Sequence, residues 1–379
     1  MIISRTSVLS LFFFTAFLGP SWHGLAAPLP KSTQEMLKKL KLTPSILADI
    51  DKELDIPKEW MEKAKKEGKL RFMSTEEPEP SKLMLAPFKE RYPFIQIETV
   101  QSTRPDRIKV LVAYKEGRIV TDILDAISGI TEGFIEANAL EDIRNLPNIR
   151  NLPEEAKEPS GLTIATESGF RCLGYNTRLV KKEQLAKKWE DLLTNVEWRN
   201  GNVALGNRPE LWAVNLWGTK GENWTKDFLT RLFKELKPQL RKEGMNALHQ
   251  LLAAGEFHAF IPAGEDNTYE LAQQGAPVSF ACPEPVPRTV RHLSIIKGAP
   301  NLYAARLFVN WLLSKEGQIA KIAAKSALPI HKDLMRPELI FWSDQVLGKM
   351  LSWPPRNPAE ANAKLGKFWN DLWLGRTGK

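Results

Sequence analysis

The sequence predicts an α/β fold with mainly parallel sheets, because short strands alternate with helices along the chain. Residues 69–74 predict a first strand, residues 95–99 an alternating second strand, and residues 119–126 a third. Helical patterns at about 82–91 and 106–116 separate these strands. Strands that alternate with helices in this way form parallel sheets covered by helices.

The same alternation returns in the second half of the chain. An extended run at 163–176 comes first. The elements predicted after it are strand 201–206, helices 210–216, 224–236 and 245–254, strand 257–262, extended runs 278–282 and 288–296, and helix 301–313. Two α/β regions fit a chain of 379 residues, which is long enough for two domains of ordinary size.

Helices are also predicted on either side of these two regions. Residues 27–68 form a polar helical extension, in which Pro57 and Gly68 mark the start and the end of one helix and Trp60 lies on its apolar face. Residues 346–379 are polar but rich in tryptophan, and they predict a tail of short helices packed on one of the two regions.

The N-terminus has the pattern of a secretory signal peptide. Arg5 is the only charged residue before Lys31, and an apolar run at 8–18 follows it. Gly24 and Ala26 then supply the small residues that precede a cleavage site. We predict that residues 1–26 are removed and that the mature protein is soluble and periplasmic. An uncleaved anchor or a buried helix is the alternative.

Composition and motifs argue against two other classes of protein. The net charge is +8, but the basic residues are dispersed, whereas nucleic-acid-binding proteins concentrate them on one face. The chain has no G-x-S-x-G, no H-E-x-x-H and no P-loop, and its five histidines show no metal-ligand spacing. We therefore expect no nucleic-acid partner, no cofactor and no catalysis, with an exported hydrolase as a remote alternative.

Two loops that follow predicted strands are candidate ligand-binding segments. One contains Ser74, Thr75 and Glu76, and the other contains Ser128 and Gly129. In parallel sheets, ligands bind outside the carboxyl ends of the strands, where hydroxyl and backbone N–H groups meet the starts of helices. The alternative is that these residues only cap helices.

Several segments, in this order and spacing, resemble a known family. They are 67–74, 88–98, 174–180, 189–193, 201–209 and, most specifically, Phe308-Val-Asn-Trp-Leu-Leu-Ser-Lys-Glu-Gly-Gln318 with Pro329 beyond it. Together they resemble the extracellular solute-binding proteins of ABC importers, in particular the ferric-iron-type group. The resemblance covers about residues 57–335.

The resemblance implies a type II periplasmic binding protein fold, with two lobes joined by two crossing strands and a ligand cleft between them. Lobe one would comprise 69–168 plus 286–345, and lobe two 169–285. Cys172 and Cys282 both fall on the crossing segments, which lie side by side in this family. The resemblance therefore allows a disulfide between them, and two buried thiols are the alternative.

The ferric-binding pattern of the family is missing from this chain. Its members use adjacent tyrosines, but none of the five tyrosines here are adjacent, and the expected position has Ala263-Gly264-Glu265-Asp266 instead. We therefore predict no metal, with ferric ion as an alternative ligand. Glu265 and Asp266 are candidates for contacts with another cation or a ligand amine, or for a helix cap.

Basic residues near the predicted cleft favour an organic anion as the ligand. Arg208, which follows Asn207 in a turn after a strand, can bind a carboxylate or phosphate through two hydrogen bonds, although a plain surface arginine is the alternative. Arg288 adds positive charge, and Tyr175 and Tyr269 complete the candidate ligand-binding residues. We expect a monomer that delivers its ligand to an ABC permease, with a sensory receptor as the alternative partner.

Overall fold

The computed structural model describes residues 28–74, 76–126, 130–355 and 358–376. The predicted signal peptide, Thr75, Ser128 and Gly129 lie outside the described residues. The helices are α1 (Lys31–Lys39), α2 (Ile50–Leu54), α3 (Lys58–Glu67), α4 (Pro78–Arg91), α5 (Arg104–Lys115), α6 (Thr131–Glu136), α7 (Asp191–Thr194), α8 (Ala213–Lys220), α9 (Glu222–Arg231), α10 (Met245–Ala254), α11 (Glu265–Gln273), α12 (Leu302–Leu312), α13 (Lys315–Lys325), α14 (Ser343–Val346) and α15 (Pro358–Trp373). The strands are β1 (Lys69–Ser74), β2 (Gln96–Gln101), β3 (Ile123–Ala126), β4 (Ile164–Asn176), β5 (Val203–Gly206), β6 (Gln239–Arg241), β7 (Ala259–Gly264), β8 (Val278–Ala281), β9 (Val286–Ile295) and β10 (Leu351–Ser352).

Lobe one is built on a sheet in which β2, β1, β3 and β9 lie side by side. β1 pairs in parallel with β2 and with β3, because α4 and α5 carry the chain back to the start of the sheet each time. β9 runs antiparallel to β3. The carboxyl ends of β1 and β3 therefore lie at the same edge, so that Ser74 and Asp125 are neighbours.

Lobe two has a sheet with the order β4, β7, β5, β6, and β8 pairs with the other edge of β4. β5 is parallel to β6 and β7, while β7 is antiparallel to β4. The first half of β4, Ile164–Phe170, pairs with β9, and the second half, from Arg171, pairs with β7. The strands β4 and β9 thus run from one lobe to the other, as the two crossing strands were predicted to do.

The N-terminal extension is part of lobe one. Its apolar side chains Met36, Leu47 and Trp60 are buried in the same core as Phe308 of α12. The Glu67 carboxylate accepts hydrogen bonds from the backbone N–H groups of residues 303 and 304, at 3.1 and 2.7 Å, and so caps the start of α12.

The C-terminal tail packs on lobe two. Where we predicted short helices, the structure has the 16-residue α15, preceded by the short α14 and β10. Trp369 is buried in the core of lobe two, and its indole ring lies edge-on to Trp212 with ring centres 6.4 Å apart. This burial explains why an otherwise polar tail carries several tryptophans.

The chain crosses between the lobes a third time shortly before the tail. Leu334 is buried in the lobe-one core, whereas Ile340 and Val346 are buried in lobe two beside Phe280. The Phe341 ring lies 3.9 Å from that of Tyr269. The sequence-based division places the whole of 286–345 in lobe one, but the end of this range packs on lobe two.

A disulfide joins Cys172 of β4 to Cys282, which follows β8. The two Cα atoms are 5.0 Å apart, and both side chains are buried. β4 and β8 are paired neighbours at this point, with Leu173 opposite Ala281. Of the two states left open by the sequence, the structure contains the bonded one.

Within the described residues, no helix has the length and apolar character needed to span a membrane.

Candidate functional site

The two lobes face each other across the pairing of β4 with β9, and charged side chains concentrate there. We call five of them the hinge cluster: Glu76, Glu167, Arg291, Lys321 and Lys325. Glu167 of β4 lies opposite Arg291 of β9, which explains their contact. α13 supplies the two lysines, and the segment after β1 supplies Glu76.

The hinge cluster is a continuous chain of ion pairs. The Glu167 carboxylate forms ion pairs with Lys321 Nζ at 2.6 Å, with Lys325 Nζ at 2.9 Å and with Arg291 Nε at 2.9 Å. Glu76 accepts from Arg291 Nη1 at 3.0 Å and also from Lys325. The cluster therefore ties β4, β9, α13 and the end of β1 together.

Arg291 is the member of the cluster that lies between the lobes. Its side chain is 38% exposed, whereas those of Glu167 and Lys321 are 9% and 6% exposed. It interacts electrostatically with Asp125 of lobe one and with Asp266 of lobe two, and the neighbouring carboxylates, Glu167 first, raise the pKa of its guanidinium. The guanidinium thus stays charged where the two crossing strands pair.

Lobe one contributes a buried polar group at the ends of β1 and β3. The Arg107 guanidinium is fully buried, donates from Nε to the Asp125 carbonyl at 3.0 Å and lies 4.0 Å from the Asp125 carboxylate. Ser74 donates to Asp125 Oδ2 at 3.4 Å and accepts from the backbone N–H of Glu76 at 3.0 Å. Of the predicted site residues, Ser74 is therefore a neighbour of Glu76, which belongs to the hinge cluster.

Lobe two contributes a second ion-paired group where β7 passes into α11. The buried Glu265 carboxylate accepts from the backbone N–H of Phe170 at 2.8 Å and from Arg171 Nη1 at 3.1 Å, and Asp266 lies 3.9 Å from the same nitrogen. Burial and the charge of Asp266 outweigh Arg171 and raise the pKa of Glu265 to about 8. The Glu265 carboxyl group therefore holds its proton to a higher pH than an ordinary glutamate does.

Gly264 allows this lobe-two group to pack closely. A Cβ atom at position 264 would lie 2.6 Å from the Asp266 carboxylate and 3.1 Å from the Arg171 guanidinium. A side chain at position 264 would therefore require the Asp266 carboxylate to move and the Arg171 guanidinium to shift by a few tenths of an ångström.

Other predicted site residues lie apart from the hinge cluster. Tyr175 is buried in the lobe-two core, and Tyr269 packs on Phe341. Asn207 accepts a hydrogen bond from the Trp369 indole at 2.8 Å. The neighbouring Arg208 side chain is 54% exposed and lies 3.8 Å from Glu210.

Arg288 is a buried structural residue rather than a cleft-facing one. Its guanidinium donates to Ser168 Oγ at 3.1 Å and lies 4.7 Å from the centre of the Trp353 ring. Only 4% of the residue is exposed.

Sequence reasoning did not identify Glu167, Arg291, Lys321 or Lys325 as site residues. Charged residues within the otherwise apolar runs 163–176 and 288–296 were the available signal. The pairing of Glu167 with Arg291 depends on the register of β4 against β9, which includes an irregularity just before Glu167. That register cannot be read from either strand alone.

A cavity of about 460 Å³ lies elsewhere, between the N-terminal extension and the rest of lobe one. Its lining residues include Asp49, Glu53, Arg150 and Lys315, and the rest of the lining also comes from this side of the molecule. Because lobe two contributes nothing to it, movement of the lobes would not enclose a ligand there.

Among the residues that the structure describes, no group of three or more His, Cys, Asp or Glu could hold a metal ion.

Comparison with known proteins identifies the family. Residues 84–345 match the bacterial extracellular solute-binding proteins, and this chain belongs to that family. A Haemophilus influenzae protein described as uncharacterized is 30% identical over 183 residues, which make up 45% of this chain and 50% of that protein. The match thus spans half the length of that relative.

Solved structures share the fold. An ABC transporter substrate-binding protein from Bradyrhizobium japonicum is 18% identical with a TM-score of 0.63, over 80% of this chain and 99% of that one. Ferric iron-binding protein A from Mannheimia haemolytica, in an open conformation, is 15% identical with a TM-score of 0.67, over 81% and 99%. The periplasmic binding protein AfuA from Actinobacillus pleuropneumoniae, with fructose-6-phosphate bound, is 19% identical with a TM-score of 0.61, over 80% and 98%. The predicted family and two-lobe fold are confirmed.

Proposed function

We propose that this protein captures a small organic anion between its two lobes in the periplasm and delivers it to an ABC permease. The observation that carries the proposal is that Arg291, on the crossing strand β9, lies 3.0 Å from the Glu76 carboxylate of lobe one and 2.9 Å from the Glu167 carboxylate of the other crossing strand. A ligand bound at this point would contact both lobes, and such contacts stabilise a closed arrangement. Membership in the solute-binding family supports the same function.

The mature protein in this proposal begins after Ala26, acts as a monomer and catalyses no reaction. Of the predicted site residues, Ser74, Glu76 and Asp266 are proposed to contact the ligand. Ferric ion fits less well, because the ferric-iron-type resemblance implies a pair of adjacent tyrosines and Ala263 and Gly264 supply no phenolate oxygen.

A thermal-shift screen of residues 27–379 tests capture. The panel contains organic anions, sugars, amines and ferric ion with carbonate. A ligand that binds only the folded protein stabilises it by about 2.7 kcal/mol at a hundredfold excess over Kd. A saturable shift with an organic anion, accompanied by a smaller radius of gyration in solution scattering, is the expected result.

Three results would count against the proposal. A shift with ferric ion alone would favour iron capture, and conversion of a panel compound into product would favour an enzyme. The absence of any shift would contradict ligand capture itself. Delivery to a permease is tested separately, by ligand-dependent stimulation of the cognate ATPase in vesicles, and a sensory partner predicts no such stimulation.

A further inference from the structure

Lobe two carries a group of exposed basic side chains on the segment that follows β4. In the stretch 178–188, five residues are basic, whereas Glu183 is the only acidic one. We call these five residues the basic patch: Arg178, Lys181, Lys182, Lys187 and Lys188. All five are exposed, and none of their side chains forms an ion pair with any residue that the structure describes.

The carboxylates that follow in the chain do not cancel the charge of the basic patch. Glu190 lies 3.8 Å from Lys220, and Asp191 accepts hydrogen bonds from the backbone N–H groups of residues 187 and 188 at 2.9 and 2.8 Å. Glu183, Glu190, Asp191 and Glu197 make four carboxylates, against the five cations of the patch together with Arg199 and Lys220. Seven cations against four carboxylates leave an excess of three positive charges.

Two exposed apolar side chains stand beside the basic patch. Leu179 is 42% exposed, and Val196 is 66% exposed, more than any other large apolar side chain among the described residues. Asn195 Nδ2 donates to the Gln184 carbonyl at 3.3 Å, which holds the turn with Val196 against the lysine-rich segment. Basic and apolar side chains that share an exposed surface are typical of proteins that bind the membrane–water interface.

The basic patch lies at the end of the lobe-two sheet that is remote from the crossing strands. Where β4 enters lobe two, Arg171 pairs with Gly264, and near its other end Tyr175 pairs with Ala259. The patch follows the second end, whereas Glu265 and Asp266 follow the first. A surface that contacts the patch would therefore lie at the opposite end of the sheet from the proposed ligand contacts.

We infer that this protein binds reversibly to anionic phospholipid surfaces through the basic patch, with Leu179 and Val196 entering the headgroup layer. The lysines are flexible and have no fixed partners, and a fluid headgroup layer does not require fixed positions for its charges. Such a layer also accepts apolar side chains at its boundary with the acyl chains, which an acidic protein surface does not. This inference goes beyond ligand capture and does not depend on which solute is bound.

Two variants of equal charge test the role of the basic patch. The first replaces its four lysines, 181, 182, 187 and 188, by glutamine and keeps the backbone hydrogen bonds of this segment. The matched control replaces four exposed lysines of the N-terminal extension by glutamine: Lys38, Lys41, Lys65 and Lys66. Because both variants lose the same charge, they separate the patch from the net charge. Far-UV circular dichroism and urea midpoints verify that both fold.

Sedimentation with lipid vesicles measures binding of residues 27–379. The vesicles contain equal parts of phosphatidylglycerol and phosphatidylcholine, or phosphatidylcholine alone. We expect the wild type to bind only the anionic vesicles and to be released at about 0.5 M salt. Each basic residue near such a surface strengthens binding about fivefold, so the patch variant should bind at least about 100-fold more weakly and the control within about threefold of wild type. Leu179→Ser combined with Val196→Ser should weaken binding by about 10-fold.

Three results would overturn the inference. They are the absence of binding to anionic vesicles, equal binding to both kinds of vesicle, and an equal loss of binding in the patch variant and the control, which would make net charge responsible. Binding to an acidic periplasmic loop of the importer but not to lipid would assign the basic patch to a protein partner instead. Ligand-induced thermal shifts should be the same in the patch variant and the wild type, so failure of lipid binding and failure of capture are distinguishable.

Discussion

Replacing Glu167 by glutamine is the sharpest test of how the charged hinge is stabilised. The Glu167 carboxylate is the acceptor for Lys321, Lys325 and Arg291 together. Burial alone would raise the pKa of Glu167, but the charges of these three partners hold it well below its ordinary value. The carboxylate is therefore ionised in the folded protein at neutral pH.

The loss of stability expected for Glu167→Gln follows from the charges that remain. After Glu167→Gln, three cations would face the single carboxylate of Glu76. Removing one partner of a buried ion pair costs about 3–5 kcal/mol, because the other charge is left uncompensated. The matched control is Glu98→Gln. Its pair with Lys69 is as short, at 2.7 Å, but both side chains are more than 40% exposed, and the expected cost is below about 1 kcal/mol.

Urea denaturation at pH 7, followed by far-UV circular dichroism, measures both variants. The double variant Glu167→Gln, Lys321→Gln should recover part of the loss, since it removes one of the unpaired cations. The wild type should also lose stability as the pH falls below about 4.5, where Glu167 is ionised in the folded state but increasingly protonated in the unfolded state. The reasoning is refuted if Glu167→Gln costs no more than Glu98→Gln.

Three further predictions concern lobe two and its tail. The pKa of Glu265 is raised from 4.5 to about 8, so the free energy of unfolding of the wild type should fall by about 1.4 kcal/mol per pH unit as the pH rises between these values. The urea midpoint of Glu265→Gln should depend less on pH than that of the wild type. An equal dependence on pH in both proteins would contradict this prediction. Replacing Cys172 and Cys282 by serine opens a loop with a sequence separation of 110 and should lower the free energy of unfolding by about 2–4 kcal/mol. The reduced wild-type protein serves as the control. A smaller loss in both samples would show that the disulfide contributes little to stability. Trp369→Ala should lower the free energy of unfolding by about 3–5 kcal/mol in the same denaturation assay, because the buried indole packs on Trp212. A loss below about 1 kcal/mol would mean that the tail is not part of the lobe-two core.

Elements with strong local signals were predictable from the sequence. The strand predicted at 69–74 is β1 to the residue, and the helix predicted at 301–313 differs from α12 by one residue at each end. The strand predicted at 119–126 is shortened to β3, because only Ile123–Ala126 finds partners in β1 and β9. The 16-residue helix of the tail was not predicted as one element, because its stability depends on Trp369 reaching the lobe-two core.

The candidate site was predictable only in part, and for a different reason. Ser74 and Glu76 follow a strand, which is a local signal, and the structure brings them to the hinge cluster. The contact between Glu167 and Arg291 joins residues 124 positions apart and is decided by strand register. Arg208 had an equally strong local signal, yet it lies 3.8 Å from Glu210, and the adjacent Asn207 contacts the tail. The local sequence pattern therefore identified the loops of the candidate site, but not which charged side chains meet there.

The third passage of the chain between the lobes changes how the cleft can open. Leu328 is paired with Ser168 of β4, Met335 contacts Arg288, and the Trp342 indole donates to the Glu265 carbonyl at 3.1 Å. Two strands side by side form a ribbon that can both bend and twist. A third attachment beside them resists twisting, so the lobes would open mainly by rotation about one axis. The residues most exposed by that rotation would be those farthest from the crossing strands, and Arg291 would remain nearly stationary at the axis.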